Sequence, residues 1–510
     1  MHLKDMRKHN THKGKLNIMT TLLSQLVATV CGIVIPRVMI SYFGSAMYGL
    51  TTSIAQFLSY ISLLEGGVGR VARAELYGPL AQNDNYEISR VYHAIKHFFR
   101  IVGAAFLIYT CILSFVYYDI ARVDGIGRSD VFSLIWIIST ATLAKYLGGL
   151  ANLTLMNANQ KQYIGNTIIM VSTIINALMV VMLAWVGGDI LSVKIGSSLA
   201  YIIQPVCYAL YVRKHYDLPP VGKDRSKLKQ KWTGIGQHIA YFLHTNTDVV
   251  LLTLFADIRL VAVYSVYRLV ISSIRKITAS FTGGMEAAFG ELIARQEKKQ
   301  LNASFRKYKF MLSSVAIVLF GTTAILILPF VRLYTAGVTD AEYNQPVFAV
   351  ILLFAEAIDC VMHPCASLPV AANKLKETRW GSYGEAMINI GLSLILIWWN
   401  PLIGIAVGTL AATVFKAIYY MIYVARHILC IRIRELFGNF LYTNAIIGAD
   451  ALIGMVFFWG TMITSFAVWF LWGIIVFVAM AVLTMAMSAI FYPSELKALF
   501  RSVIRRGYGK

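Results

Sequence analysis

Apolar residues in this chain gather into runs of membrane length, separated by short polar stretches. Roughly 20 apolar residues suffice for one helix across a bilayer. Fourteen such segments can be marked, at 16–41, 48–71, 97–118, 131–155, 163–186, 191–212, 234–256, 260–285, 310–331, 346–371, 381–399, 403–425, 441–463 and 466–491. The pattern predicts an all-α polytopic membrane protein of about 14 transmembrane helices. The longest connections on one side, around Asp119–Asp130 and Arg332–Gln345, leave no room for a soluble catalytic domain. The most polar interior stretch is 213–231, with two prolines and seven basic residues. It reads as a basic cytoplasmic linker. The chain then divides into an N-terminal six-helix bundle (1–212), the linker (213–231), a C-terminal six-helix bundle (232–430), and an appended helix pair with a basic tail (431–510).

Composition agrees with that reading: 58% of residues are hydrophobic and 14% charged. The net charge of +21 would suggest nucleic acid in a soluble protein, but its distribution points elsewhere. Of 46 Lys and Arg, nine lie inside the spans and four (Arg122, Arg128, Arg259, Arg332) on one set of loops; the remaining 33 fall on the termini and the opposite loops. That asymmetry follows the positive-inside rule and expects both termini in the cytoplasm and an even number of spans. The basic residues then serve topology and contact with anionic lipid, and nucleic acid is not an expected partner. The first segment is too long for the apolar core of a cleaved signal and reads as a retained helix. The six cysteines sit in or beside spans and read as buried apolar residues rather than a disulfide framework.

A weak internal repeat supports two halves. Phe43-Gly44-Ser45, a helix, Gly66-Gly67 and Glu75-Leu76 correspond in order to Phe255-Ala256-Asp257, a helix, Gly283-Gly284 and Glu291-Leu292. Repeated halves are common in transporters, with the substrate site near their interface; chance similarity in an apolar, Gly-containing chain is the rival explanation.

Ionisable groups inside the spans carry the chemistry, because a charge at membrane depth costs several kcal/mol unless it faces a cavity or a partner. Glu65 and Arg70 lie within about a turn and a half among glycines. Arg268 and Arg275 are seven residues apart and share one helix face. Two guanidinium forks on one stripe suit a phosphate or diphosphate; the alternative is pairing with acids on other helices. Arg37 follows Pro36, and Lys145 and Lys416 fall in mid-span. These six bases, Arg37, Arg70, Lys145, Arg268, Arg275 and Lys416, are the candidate substrate-binding set. The acidic set is assigned to ion coupling. Gln237, Tyr241, His244 and Asp248 form a polar stripe on the seventh span, and Glu356, Asp359 and His363 form another on the tenth. Glu385 stands in the eleventh. A buried carboxylate is a natural proton carrier, so His244, Asp248, Glu356, Asp359 and Glu385 are the ion-coupling candidates, with static hydrogen bonding as the plainer alternative. Glu286 and Asp450 complete the intramembrane acids. A His/carboxylate pair on one helix without a second cluster is weak as a metal site.

No phosphate-binding loop, HExxH, G-x-S-x-G or DxD pattern occurs. The chain therefore reads as a non-enzyme without cofactor or bound metal.

The segments IPRVMISYFGSAMYGL, VAVYSVYRLVISSI, AAFGEL and LPFVRLYTAGVTDAEY, in that order, resemble the Wzx-type polysaccharide flippases of the multidrug/oligosaccharidyl-lipid/polysaccharide exporter superfamily. The resemblance is diffuse and covers nearly the whole chain. It implies two six-helix lobes in a V, a cationic central cavity and alternating access. The implied cargo is an undecaprenyl-diphosphate-linked oligosaccharide moved from the inner to the outer leaflet of the bacterial cell membrane. It implies that Arg37, Arg70, Arg268 and Arg275 line the cavity and that the last two spans help hold the lipid tail. Expected partners are the polyprenyl-diphosphate-linked oligosaccharide, membrane lipid, a coupling H⁺ or Na⁺, and polysaccharide assembly proteins. An ion-coupled multidrug or small-molecule antiporter of the same superfamily, a peptidoglycan lipid-intermediate flippase, and a membrane polysaccharide polymerase are the alternatives.

Overall fold

A computed structural model describes residues 2–65, 68–121, 125–220, 235–280, 282, 285–458 and 463–497. Every regular element among them is helical. Two compact units emerge, one of residues 1–239 with 257–262, the other of 240–256 with 263–510.

The first unit opens with α1 (His2–Ser59), which runs into a 3₁₀ turn at Tyr60–Glu65. α2 (Val68–Gln82), α3 (Asn85–Ala121) and α4 (Arg128–Ala144) follow. A π-helical turn, Lys145–Gly149, joins α4 to α5 (Leu150–Ala158), and α6 (Gln162–Trp185) and α7 (Ile190–His215) complete the unit. α1 packs on α6, α6 on α7, and α7 on α4. Phe43-Gly44-Ser45, expected as a loop, is the kink at which two helices meet within α1: Gly44 is non-helical, with φ 79° and ψ 171°. That left-handed conformation is open to glycine at little cost. Asp189 caps α7 by accepting from the Ser192 amide at 3.0 Å. Its hydrogen bonds to Ser192 hold the carboxyl below the usual carboxylate range.

The second unit contains α8 (Ile235–Phe255), α9 (Ile258–Ser280) and the short α10 (Met285–Ala294), the first two apart from their ends. α11 (Lys298–Tyr334), α12 (Pro346–Ala371), α13 (Leu375–Leu396) and α14 (Pro401–Val424) follow, the last continuing into a π-helical turn at Ala425–Leu429. α15 (Ile433–Phe458) and α16 (Phe466–Phe491) close the unit. α14 packs between α12 and α13, while α15 and α16 both pack on α11. α13 and α14 approach closely through glycine: a Cβ at Gly404 or Gly408 would collide with the backbone of α13. Small residues permit such approach in a membrane, where apolar burial alone does not drive helices together. Asn400 caps α14 by accepting from the Ile403 amide at 3.1 Å, and Pro401 fills the first helical position.

Ten helical stretches among the described residues are long and apolar enough to cross a membrane. α8, α9 and α13 fall outside that set although they have 21, 23 and 22 residues; they carry most of the buried charge described below. The chain is a multi-pass membrane protein. Of the expected linker, 221–231 lies outside the described residues, as do Gly66, Gly67, Gly283 and Gly284 of the repeat.

Candidate functional site

Five helices of the second unit bring their ionisable residues into one network. α9 supplies Arg268 and Arg275, on one face and two turns apart. Both donate to the same carboxylate of α12: Arg268 to Glu356 Oε1, and Arg275 to Glu356 Oε2 at 3.1 Å. Glu356 itself is only 5% exposed. The second terminal nitrogen of Arg275 reaches Asp359 Oδ2 at 3.3 Å. Asp359 is one turn further along α12, as the i, i+3 spacing expects.

The chain of pairs continues. Lys416 of α14 donates to Asp359 Oδ1 at 3.1 Å and to Glu385 Oε1 of α13 at 3.0 Å. The close α13–α14 approach makes that bridge possible. His244 Nε2 of α8 lies 3.2 Å from Glu385 Oε1, while its Nδ1 is buried without a partner among the described residues. Three bases therefore face three acids, and every one of the six has at least one opposite-sign partner.

A smaller polar cluster sits one helical turn from His244. Tyr264 of α9 donates to Asp248 Oδ2 at 2.7 Å, and Thr409 of α14 donates to the same oxygen at 3.5 Å. Asn389 of α13 donates to Thr409 Oγ1 at 2.9 Å. Asp248 Oδ1, Asn389 Oδ1 and Ser393 Oγ are buried and have no partner among the described residues. Buried polar atoms are nearly always satisfied, so these oxygens mark a place where a proton or small cation would find acceptors.

The candidate bases and acids, read in sequence as two functional sets, are thus interleaved. Arg268, Arg275 and Lys416 join Glu356, Asp359, Glu385 and His244 in one network, with Asp248 beside it. His363, on the same stripe as Glu356 and Asp359, turns instead toward Tyr308 Oη at 3.5 Å. Lys276 is exposed. Arg37 and Lys145 belong to the first unit: Arg37 is half-buried on α1 and Lys145 exposed on the π-helical turn. Arg70 lies on α2 with its side chain outside the described residues, as does the side chain of Gln237. Asp450, on α15, is buried against α11 at Gly321, where an added Cβ would sit 2.5 Å from its Oδ2.

Sequence reading missed Tyr264, Thr409 and Asn389, since uncharged polar residues inside apolar helices are common. It also missed Tyr146, which donates to Glu65 Oε1 in the first unit. The spacing of Tyr264 one turn before Arg268 was the available signal. Among the described residues no group of three or more His, Cys, Asp or Glu is placed to hold a metal ion.

No protein-family model matches this chain, and no curated protein matches its sequence. Solved structures do resemble it in fold. The lipid II flippase MurJ, in an inward closed conformation, matches with a TM-score of 0.70 at 15% identity, covering 94% of this chain and 99% of that one. The MATE multidrug transporter DinF-BH, in a ligand complex, matches at 0.55 and 14% identity, over 83% of this chain and 96% of its own. The MATE transporter VcmN of Vibrio cholerae, in its bent form, matches at 0.51 and 14% identity, over 83% and 99%. At identities this low the likeness establishes a transporter-type fold and nothing finer.

Proposed function

We propose that this protein flips an undecaprenyl-diphosphate-linked oligosaccharide from the inner to the outer leaflet of a bacterial cell membrane, by alternating access and coupled to a cation. Support comes first from topology. Fourteen spans are reached if α1 is counted twice across its kink at Gly44 and α8, α9 and α13 are read as spans beside the other apolar stretches. An even count and the Lys/Arg asymmetry favour both termini in the cytoplasm. The bundles are 1–212 and 232–430, joined by 213–231, with 431–510 as the appended pair. The MATE structures leave uncovered a share of the chain about as long as that pair, whereas the flippase match covers 94%.

One observation carries the chemistry: two guanidiniums converge on the single carboxylate of Glu356. A diphosphate offers the same planar acceptor pairs with more charge. Cargo would take Arg268 and Arg275 from Glu356 and Asp359. Glu356 would then be a buried charge stripped of both arginines, and Asp359 would keep only Lys416; that is costly, and a proton or Na⁺ arriving at Glu356, Asp359 or Glu385 offsets the cost. Ion-pair exchange would tie cargo binding to cation binding. Arg37, Arg70, Lys145 and Lys416 remain the further candidate bases for the sugar-diphosphate, and His244 with Asp248 for the cation. The protein does no chemistry on its cargo; partner enzymes would build and polymerise it.

The test is to delete the gene in its host and quantify polyprenyl-diphosphate oligosaccharide in each leaflet. Inner-leaflet accumulation, reversed by wild type and not by Arg275→Ala, is the expected result. Unchanged lipid-linked sugars with altered drug tolerance would overturn it in favour of an ion-coupled antiporter. That second reading is favoured by the unpartnered oxygens beside Asp248, which suit a coupling cation with any cargo. Accumulation of a peptidoglycan intermediate alone would keep the flipping and replace the sugar.

A further inference from the structure

A separate polar constellation lies where α11, the start of α15 and the end of α16 meet. α11 has 37 residues, so at 1.5 Å per residue it is about 55 Å long, well beyond the ~30 Å hydrocarbon layer. Its N-terminal third is the polar part, so Arg306 and Lys309 stand at headgroup level. Tyr492 packs on Phe310 at 5.9 Å and on Tyr442 at 5.2 Å between ring centroids. Tyrosine at that depth is typical of the membrane interface. These elements border a half-open cavity of about 370 Å³.

Its most buried polar lining residue is basic. Lys309 is 5% exposed. Its ammonium donates to the Leu436 carbonyl at 2.8 Å, and no carboxylate pairs with it among the described residues. An ammonium has three donors, so two remain for a ligand. A buried cation without a counter-ion is costly, and a bound anion would remove that cost. Arg434, exposed at the rim, has no partner among the described residues. Two acids also line the cavity. Glu435 is neutralised by Arg306 at 2.7 Å, and Glu495 accepts the Ser494 hydroxyl at 2.6 Å.

We propose that this cavity binds a phosphate group, held from below by Lys309 and at the rim by Arg434. The phosphate belongs either to the headgroup of an anionic phospholipid or to a soluble phosphate compound; the recognising chemistry is the same. The site is remote in sequence and in helix from the network on α8, α9, α12, α13 and α14, and its occupancy does not depend on the cargo.

The full chain is placed in nanodiscs of phosphatidylcholine, with or without phosphatidylglycerol, and its thermal midpoint and retained lipid are measured. Wild type is compared with Arg434→Gln, an exposed change that spares folding, with Lys309→Met, and with Arg432→Gln as a neighbouring control outside the lining. Phosphatidylglycerol is expected to raise the midpoint of wild type and Arg432→Gln, with apparent affinity about tenfold lower in Arg434→Gln and lower still in Lys309→Met. In phosphatidylcholine alone, inorganic phosphate is titrated against chloride at equal ionic strength. Stabilisation by phosphate that Arg434→Gln loses, with no phosphatidylglycerol effect, assigns the site to a soluble phosphate. No preference for either phosphate source, or an equal response of Arg434→Gln and Arg432→Gln, overturns the proposal.

Discussion

The two units handle buried charge in opposite ways. In the second, six charged groups from α9, α12, α13 and α14 are held in mutual pairs, and His244 of α8 joins them. The helices carrying them are continuous α-helix through each paired residue. In the first unit the intramembrane acid Glu65 receives the Tyr146 hydroxyl. Both residues of that bond stand on irregular helix, a 3₁₀ turn and a π turn. Such irregularity often marks a hinge or a functional site. A network of opposite charges in low dielectric stiffens what it joins, because moving one member strands its partners. Among the described residues Glu65 has that one side-chain bond, which leaves the neighbouring backbone freer to re-form. Until a ligand competes for its members, the second unit's network holds a fixed arrangement of charge, while the first unit's irregular helix is freer to yield.

The largest expected effect tests that contrast directly. Lys416 bridges Asp359 and Glu385, so Lys416→Met leaves the buried Glu385 and the half-buried Asp359 short of their shared cation. Breaking a buried pair in this way costs about 3–5 kcal/mol. The matching change in the first unit, Lys145→Met, alters an exposed residue on the π turn and should stay within about 0.5 kcal/mol. Thermal midpoints in detergent check both. Equal losses would erase the distinction between the units.

Much of this was legible in the chain. Spans 346–371 and 466–491 agree with α12 and α16 to the residue, because apolar length is a direct signal. The same signal sees only the apolar part of a long rod. The expected spans 97–118 and 310–331 are the cores of α3 and α11, each 37 residues. Hydropathy also placed a break at Gly44, and there a single non-helical residue separates two helices. The charged members of the network were visible because Arg, Glu and Asp stand out against Leu and Val. Their pairing was not, since i, i+3 and i, i+7 spacings fix which residues share a face and say nothing of which helix that face meets. The glycines that let α13 approach α14, and so bring Glu385 to Lys416, become meaningful only once the two helices are packed.

An intermediate effect probes the pliable unit. Tyr146 is 4% exposed and packs against Phe99 and Phe106. Tyr146→Phe keeps that packing and removes the donor to Glu65, so the expected loss is about 1–2 kcal/mol. If Tyr146 only fills space, the midpoint will not move. If the bond also restrains the π turn, amide hydrogen exchange at 145–149 will quicken while that of α12 stays unchanged.

The smallest effect separates burial from pairing as the source of the contrast. Arg128 and Asp119 form an ion pair in the first unit at 2.5 Å, with side chains 61% and 60% exposed. Its groups are of the same kinds as Arg275 and Asp359, paired at 3.3 Å in the second unit. If pairing alone stabilised, the shorter contact would matter as much. In water the Coulomb gain is small, side-chain entropy opposes it, and salt screens what remains. Arg128→Gln should therefore cost less than about 1 kcal/mol, and the difference from wild type should vanish as the salt concentration is raised. A cost approaching that of Lys416→Met, or one that persists at high salt, would mean that the first unit too is held by its charges.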